Sequence, residues 1–256
     1  MTQGFLDIAG QRLEYRRTGA RAASAPEIVL LHEGLGCVDM WRDFPDKLAE
    51  ATGRGVFVYS RAGYGKSSPV PLPRPTGYMH REALDVLPRV LDTAGIKDCV
   101  LMGHSDGGSI ALIYAGGVKD NRARGVVTMA AHVFNEKLCV DSIAAAGRAY
   151  RETDLRQRLA RYHADVDNAF RGWNDVWLSD EFWRWNIEEY LPGVAVPVLA
   201  MQGLDDEYGT LRQVEAIVSQ VKGRAEKLML PQCKHSPHRD QPEATLEAIA
   251  RFVKSL

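Results

Sequence analysis

A serine stands between glycines where an apolar run ends. The stretch VLMGHSDGGSI places Ser105 two residues after Gly103 and two residues before Gly107. Between a buried strand and a helix, a glycine-x-serine-x-glycine turn holds the serine out at the sheet edge as a nucleophile. The pattern therefore predicts nucleophilic catalysis by Ser105. The alternative interpretation is that Ser105 only caps the helix that follows.

A serine hydroxyl becomes a good nucleophile only when a base takes its proton and an acid orients that base. Two later stretches, each following an apolar run, offer these groups. LDDE contains Asp205 and Asp206, and CKHSPH contains His235 and His238. The chain order serine, acid, histidine is the order expected when such a turn lies on a parallel α/β sheet.

Apolar runs alternate with helical patterns along most of the chain. GFLDIAGQRLEYRRTG indicates a β-hairpin, and strands are predicted in PEIVLL, GVFVY, DCVLMGHS, ARGVVTMAAH, VAVPVLAMQG and KLMLPQ. Amphipathic or small-residue helices separate most of these runs. Such alternation is typical of a sheet covered by helices on both faces. The predicted fold class is therefore α/β, with a mostly parallel, doubly wound sheet.

The strand–helix alternation is interrupted between residues 134 and 191. This segment is charged, rich in tryptophan, helical in pattern and without a strand signal. We interpret it as a helical lid inserted at the carboxyl edge of the sheet. The predicted organisation is thus a core of residues 1–133 and 192–256 with a lid of residues 134–191.

Composition restricts the classes of protein that fit. The chain has 256 residues, 32 Lys plus Arg against 33 Asp plus Glu, and a net charge of -1. A balanced charge gives no long-range attraction to nucleic acid or to an anionic membrane. The start of the chain does not read as a signal peptide, and no apolar run approaches a membrane span. Four scattered cysteines fit free thiols, so a cytoplasmic location is expected.

No pattern for a metal or a nucleotide cofactor is found in the sequence. His235 and His238 are three residues apart, but no third ligand has a spacing typical of zinc sites. GHSDGG lacks the glycine spacing of a dinucleotide-binding loop. We therefore predict no metal and no cofactor, a small-molecule substrate as the partner, and a monomer or homodimer.

Four motifs together resemble the α/β-hydrolase superfamily: GHSDGG, HEGLG, GLDD and HSPHRDQPE, over about Phe5 to Leu256. The resemblance implies a small lidded serine hydrolase. It places the acid three residues after Gly203, at Asp206, with Asp205 as the alternative. It places the base at the first histidine of the final motif, His235, and leaves His238 as the alternative base or as a packing residue.

The sequence departs from the family pattern at two positions. Lys234 stands where a glycine often precedes the histidine, which loosens the alignment there by one residue. Ser60 stands where an aspartate is common, but that position is usually structural. Because the nucleophile position holds Ser105, the superfamily members that use an aspartate nucleophile, the haloalkane dehalogenases and epoxide hydrolases, are disfavoured.

The resemblance also implies an oxyanion hole, formed by backbone N–H groups that bind the developing negative charge. The loop HEGLG would supply the N–H of Gly34, with that of Leu35 close by. The residue after the nucleophile, Asp106, would supply the second donor. In the alternative interpretation the glycines of this loop only shape a turn.

Two acidic residues, Glu33 and Asp106, flank the predicted oxyanion hole, where a carboxylate facing the oxyanion would hinder it. SDGG also resembles valacyclovir hydrolase-like α-amino-acid ester hydrolases, in which the aspartate contacts the substrate amine. Either both carboxylates point away from the oxyanion, or one of them binds a substrate cation, so Asp106 and Glu33 are candidate substrate-binding residues and Asp106 is the candidate for an ammonium in the acyl part. The alternative is that it stabilises the positive end of the helix. Trp173 and Trp177 in the lid are candidates for an apolar substrate wall.

These residues predict cleavage of a carboxylic ester, lactone or thioester of a small to medium acyl group through an acyl-enzyme. Two further functions stay open. A carbon–carbon bond hydrolase of aromatic degradation, acting on a meta-cleavage product, would use the same triad. A ligand receptor built on a hydrolase scaffold would also retain these residues.

Overall fold

The computed structural model describes residues 1–20 and 25–256. Its eight strands are numbered in chain order: β1 Thr2–Ile8, β2 Gln11–Thr18, β3 Glu27–Leu31, β4 Val56–Tyr59, β5 Cys99–His104, β6 Ala123–Met129, β7 Val198–Gly203 and β8 Ala225–Leu230. They form one sheet in the order β1-β2-β4-β3-β5-β6-β7-β8. β1 pairs antiparallel with β2, and β2 antiparallel with β4, while the other pairs are parallel. The predicted α/β fold, with its N-terminal hairpin and mostly parallel sheet, is confirmed.

Helices connect the parallel strands. The α-helices are α1 Phe44–Thr52, α2 Tyr78–Arg81, α3 Leu87–Thr93, α4 Asp106–Gly117, α5 Lys137–Glu152, α6 Leu155–Leu159, α7 Val166–Trp177, α8 Leu211–Gln220, α9 Pro237–Asp240 and α10 Pro242–Lys254. One π-helical turn, Glu82–Val86, joins α2 to α3. Short 3-10 segments are Asp39–Trp41, Phe182–Arg184 and Glu188–Gly193.

The central strands are buried on both faces of the sheet. Every residue of β3 is buried, and alternate residues enter different cores: Ile28 and Leu30 on one face, Val29 and Leu31 on the other. This alternation follows from the two-residue period of a strand. The two cores require helices on both sides, and α1 and α10 supply one cover while α3, α4 and α8 supply the other.

The segment between β6 and β7 carries α5, α6, α7 and two 3-10 turns, with a bridge between Phe134 and Asn186 at its ends. Its aromatic residues Trp173, Trp177 and Phe182 pack into the same core as the sheet face beneath α4. The helical content agrees with the sequence pattern. That residues 134–191 act as a separate lid stays a prediction.

Candidate functional site

Ser105 occupies the turn between β5 and α4. Its backbone has φ 52° and ψ -119°, a left-handed conformation that is uncommon for a residue with a side chain. The carbonyl of Ser105 accepts hydrogen bonds from the N–H groups of Gly108 and Ser109, and its own N–H donates to Met129. The turn is thus fixed from both sides, and Ser105 lines a cavity of about 200 Å³.

Close backbone packing explains the glycines around Ser105. A Cβ on Gly103 would lie 2.1 Å from the carbonyl carbon of Gly107, and a Cβ on Gly107 would lie 2.0 Å from the carbonyl oxygen of Leu31. Both distances are far inside van der Waals contact. The helix can therefore start directly beside β3 only because neither position carries a side chain.

We expect the substitution Gly107→Ala to lower the free energy of unfolding by about 3 kcal/mol or more, because β3 backbone would have to move. Gly77→Ala is the matched control, since a Cβ there meets no atom within 4 Å. Its effect should stay below about 1 kcal/mol. Urea denaturation measures both. Equal stability of the two variants would contradict the close packing at the turn.

His235 and Asp206 meet at the carboxyl edge of the sheet. Nδ1 of His235 lies 2.8 Å from Oδ1 of Asp206, which also accepts the N–H groups of Tyr208 and Gly209. Burial by itself raises the pKa of Asp206, but the hydrogen bond and charge of His235 and the Tyr208 N–H outweigh it and lower that pKa. An ionised Asp206 holds the proton of His235 on Nδ1, so Nε2 is free to act as a base.

The alternative acid and base lie elsewhere. Asp205 is exposed, and its side chain makes no hydrogen bond within the described part of the chain. His238 is buried, with its ring 4.9 Å from that of Trp41 and 5.3 Å from that of Phe44. Neither residue lines the cavity beside Ser105, whereas His235 does.

The predicted oxyanion donors also border this cavity, which Gly34, Leu35 and Asp106 line. None of their three N–H groups has a hydrogen-bond partner in residues 1–20 and 25–256. In a trans peptide the N–H points opposite to the preceding carbonyl. Because the Ser105 carbonyl is bound along α4, the N–H of Asp106 is directed away from the helix body.

The two flanking carboxylates are engaged by other side chains. Oε2 of Glu33 lies 3.5 Å from Nδ1 of His104, and Oε1 lies 3.5 Å from Arg239. Burial raises the pKa of Glu33, but the hydrogen bond and charge of His104 and the charge of Arg239 outweigh it, so this pKa is well below its ordinary value. Nε2 of His104 contacts the backbone carbonyl of His235 at 2.7 Å. A chain of contacts thus joins the loop after β3 to the loop that carries His235.

Asp106 is fully buried. Its Oδ2 accepts the hydroxyl of Tyr78 at 2.5 Å and lies 3.8 Å from Arg61, while Oδ1 has no partner in the described residues. Burial raises the pKa of Asp106 in spite of the Arg61 charge and the Tyr78 hydrogen bond. One oxygen of a buried carboxylate beside the cavity therefore stays unsatisfied.

α5 and α7 complete the cavity wall. Trp173 and Trp177 line it, and Nε1 of Trp177 donates to the hydroxyl of Tyr78 at 3.0 Å. Trp173 packs directly over the loop after β3, since a Cβ on Gly34 would lie 2.2 Å from Nε1 of Trp173. The other tryptophans between β6 and β7 do not border the cavity, and Trp183 is 53% exposed.

Several cavity residues were not singled out from the sequence. They are His132, Cys139, Ile143, Glu207 and Tyr208. His132 follows β6 and lies 5.6 Å, ring to ring, from His235. Tyr208 packs against the His235 ring at 4.7 Å. His132, Glu207 and Tyr208 could have been predicted from their positions just after strands, because loops at the carboxyl edge of a parallel sheet converge on one site. Cys139 and Ile143 lie within α5 and had no such signal.

Four buried histidines have pKa values lowered chiefly by burial: His32, His163, His238 and His132, the last to about 3. An unfolded histidine has a pKa of about 6.5. Between that pH and the lower pKa of each buried histidine, the unfolded chain binds more protons than the folded protein. We therefore expect stability to fall with pH below about 6.5, by up to about 1.4 kcal/mol per pH unit for each histidine.

Urea denaturation from pH 8 to pH 5 measures this acid sensitivity. His238→Leu should flatten the slope, because it removes one titrating group from an apolar contact with Trp41 and Phe44. A free energy of unfolding that is constant between pH 7 and pH 5 would contradict the prediction.

No helix in residues 1–20 and 25–256 is both long and apolar enough to cross a membrane. Within the same residues, no group of three His, Cys, Asp or Glu side chains is placed to hold a metal ion. All four cysteines are buried free thiols.

Comparison with known proteins identifies relatives of this chain. A proline iminopeptidase of Lactobacillus crispatus is 34% identical over 112 residues, which is 44% of this chain and 38% of that protein. A proline iminopeptidase of Levilactobacillus brevis is 34% identical over 166 residues, which is 64% of this chain and 50% of that protein. The matches thus cover half or less of these curated relatives.

Solved structures share the fold over the whole chain. The crystal structure of VinJ superposes with a TM-score of 0.77 at 24% identity, covering 100% of this chain and 99% of VinJ. An enol-lactonase from Burkholderia xenovorans gives a TM-score of 0.75 at 21% identity, covering 98% of this chain and 100% of that protein. A sequence model described as the alpha/beta hydrolase family matches residues 28–248. Because that match spans most of the chain, the protein belongs to the α/β hydrolase family.

Proposed function

We propose that this hydrolase uses Ser105, His235 and Asp206 to cleave a carboxylic ester, lactone or thioester of a small acyl group. The observation that carries the proposal is the 2.8 Å contact between His235 and Asp206 at the cavity where the strained turn presents Ser105. A nucleophile, a base and an orienting acid are the groups that acyl transfer requires.

In the proposed reaction Oγ of Ser105 attacks the substrate carbonyl carbon, and Nε2 of His235 takes the hydroxyl proton. The oxyanion of the tetrahedral intermediate accepts hydrogen bonds from the N–H groups of Gly34 and Asp106, with Leu35 close by. The carbon–leaving group bond then breaks, and His235 returns its proton to the leaving group. Water attacks the acyl-enzyme by the same route in reverse, which releases the acid and restores Ser105.

The cavity supports a small substrate. Its volume of about 200 Å³ is below the roughly 300–1,000 Å³ typical of pockets for drug-sized ligands. Its apolar wall comes from Trp173, Trp177, Cys139 and Ile143. We infer that short acyl groups fit and that long chains require movement of the helical insertion.

Cleavage next to a free amine is the second candidate function. The curated relatives named proline iminopeptidase support it, as does the buried Oδ1 of Asp106, which has no partner in the described residues and belongs to a residue that lines the cavity. A buried acceptor without a donor costs free energy that a substrate ammonium would recover. Glu33 and Glu207 also border the cavity, whereas no Lys or Arg among the described residues does, so a cation is favoured over an anion.

We expect an aminoacyl ester to exceed its des-amino analogue in kcat/KM by about 10- to 100-fold if Asp106 binds the amine, as a charge-assisted hydrogen bond would give. Asp106→Asn keeps the backbone N–H and should erase that ratio. Equal kcat/KM for the two substrates in the wild type would count against amine recognition by Asp106.

The proposed function is tested with a p-nitrophenyl ester series from acetate to octanoate and with prolyl p-nitroanilide. Ser105→Ala is the control. Turnover that falls with acyl length and disappears in the control supports the ester hydrolase. A folded wild type without turnover of either substrate would contradict it. A meta-cleavage dienoate and ligand-dependent thermal stabilisation would then test carbon–carbon cleavage and ligand binding.

A further inference from the structure

Arg61 is a fully buried cation beside the active-site loops. It follows β4 and has 0% exposure. Its Nη1 donates to the carbonyl of His32 at 2.5 Å, and Nη2 donates to the carbonyl of Glu33 at 3.0 Å. The nearest carboxylate, on Asp106, is 3.8 Å away. The short contacts of the guanidinium are therefore with the backbone of the loop after β3, and its ion pair is the looser interaction.

The Glu33 carbonyl is held by three donors. Besides Nη2 of Arg61, it accepts Nδ1–H of His32 at 2.7 Å and the N–H of Gly36 at 3.0 Å. The proton of His32 lies on Nδ1 because Nε2 accepts the backbone N–H of Arg61. The Arg61 guanidinium thus binds this carbonyl directly, while the backbone N–H of the same residue fixes the His32 tautomer.

The anchored carbonyl determines where the next N–H points. In the trans peptide between Glu33 and Gly34, the two groups are antiparallel. With the carbonyl bound to Arg61, the N–H of Gly34 is directed to the opposite side. Gly34 borders the cavity, and this N–H has no partner among the residues that the structure describes. A flipped peptide would turn a carbonyl oxygen toward the reacting atoms instead.

We propose that Arg61 is a positioning residue for the oxyanion hole, which prevents rotation of the Glu33–Gly34 peptide and so keeps the N–H of Gly34 available. This inference rests on the proposed acyl-transfer function. The guanidinium also stands near Asp106, whose N–H is the other proposed donor. Burying a guanidinium has a large desolvation cost, and here hydrogen bonds to two consecutive carbonyls offset part of it.

The test compares Arg61→Met, Arg61→Lys and the control Arg74→Met. Methionine fills similar space without donors, and lysine keeps the charge with a compact donor. Arg74 is a second cation of this region. It contacts Tyr64, the Ala62 carbonyl and the Tyr78 ring, and it makes no hydrogen bond to the loop after β3. For each variant kcat, KM and the ratio of rates for an ester and its thionoester are measured. Titration of Ser105 with a phosphonate normalises rates to intact sites.

We expect Arg61→Met to lower kcat by up to about 10²-fold, the loss that removal of one oxyanion donor causes, with KM changed less than about 3-fold. This is the upper limit because His32 and the N–H of Gly36 still donate to the Glu33 carbonyl. The ester-to-thionoester ratio should also fall, because a hole without its donor no longer discriminates oxygen from sulfur. For Arg61→Lys, kcat and the ester-to-thionoester ratio should lie between those of the wild type and Arg61→Met. If Arg61→Met does not fold, Arg61→Lys alone tests the proposal. Arg74→Met should match the wild type.

The results separate the two proposals. An unchanged kcat per titrated site and an unchanged ester-to-thionoester ratio in the Arg61 variants would overturn the role of Arg61 alone. A wild type without turnover that depends on Ser105 would overturn the proposed function, and the role of Arg61 with it.

Discussion

Ser105→Ala should lower kcat for the best p-nitrophenyl ester by about 10⁴- to 10⁶-fold, because no other group replaces the nucleophile. His235→Ala should have an effect of similar size, since the serine then lacks a base. The two losses should not add, because both residues act in the same step. Steady-state kinetics on freshly purified protein measures these changes.

His238→Ala is the matched comparison for the base. His238 packs against Trp41 and Phe44 and lies outside the cavity, so its loss should reduce stability more than kcat. Thermal unfolding of each variant separates the two effects. If His238→Ala proved more damaging to kcat than His235→Ala, the assignment of the base would be wrong.

Asp206→Asn should lower kcat by about 10³- to 10⁴-fold, because an amide in place of the carboxylate no longer holds the His235 proton on Nδ1. The substitution keeps the volume of a buried side chain that accepts the N–H groups of Tyr208 and Gly209. The change in kcat should therefore exceed the change in stability.

Asp205→Asn is the control for that experiment. Asp205 is adjacent in sequence but exposed, so we expect kcat to change less than about 2-fold. Steady-state kinetics of both variants with one substrate at pH 7 decides whether Asp206 or Asp205 orients His235. The reverse order of effects would mean that Asp205 orients the base when substrate is bound.

The unusual charges around the proposed oxyanion hole have a structural explanation. Both Glu33 and Asp106 would oppose a developing negative charge if they faced it. Instead, Glu33 contacts His104 and Arg239, and Asp106 contacts Tyr78 and Arg61. Of the carboxylate oxygens of Glu33 and Asp106, Oδ1 of Asp106 is the one without a partner in the described residues, and it is the atom on which the amine proposal depends.

The amino-acid sequence by itself determined the local features. Strands and helices follow from the period of apolar residues, and the turn at Ser105 follows from glycines that allow backbone contact. The chain order of Ser105, Asp206 and His235 could also be predicted, because loops after parallel strands meet at one edge of the sheet. The periods depend on neighbours in the chain, and the glycine turn and the chain order follow from the general geometry of a parallel α/β sheet, so one sequence is enough to predict them.

Only the tertiary structure decided which side chains meet. Asp206 and His235 are 29 residues apart, and Arg61 reaches the carbonyl of His32 from 29 residues away. Whether Asp205 or Asp206 turns inward depends on the path of one loop, and so does the direction of the Glu33 carbonyl. Such choices arise from packing and hydrogen bonding between segments that are distant in sequence, and no local periodicity records them.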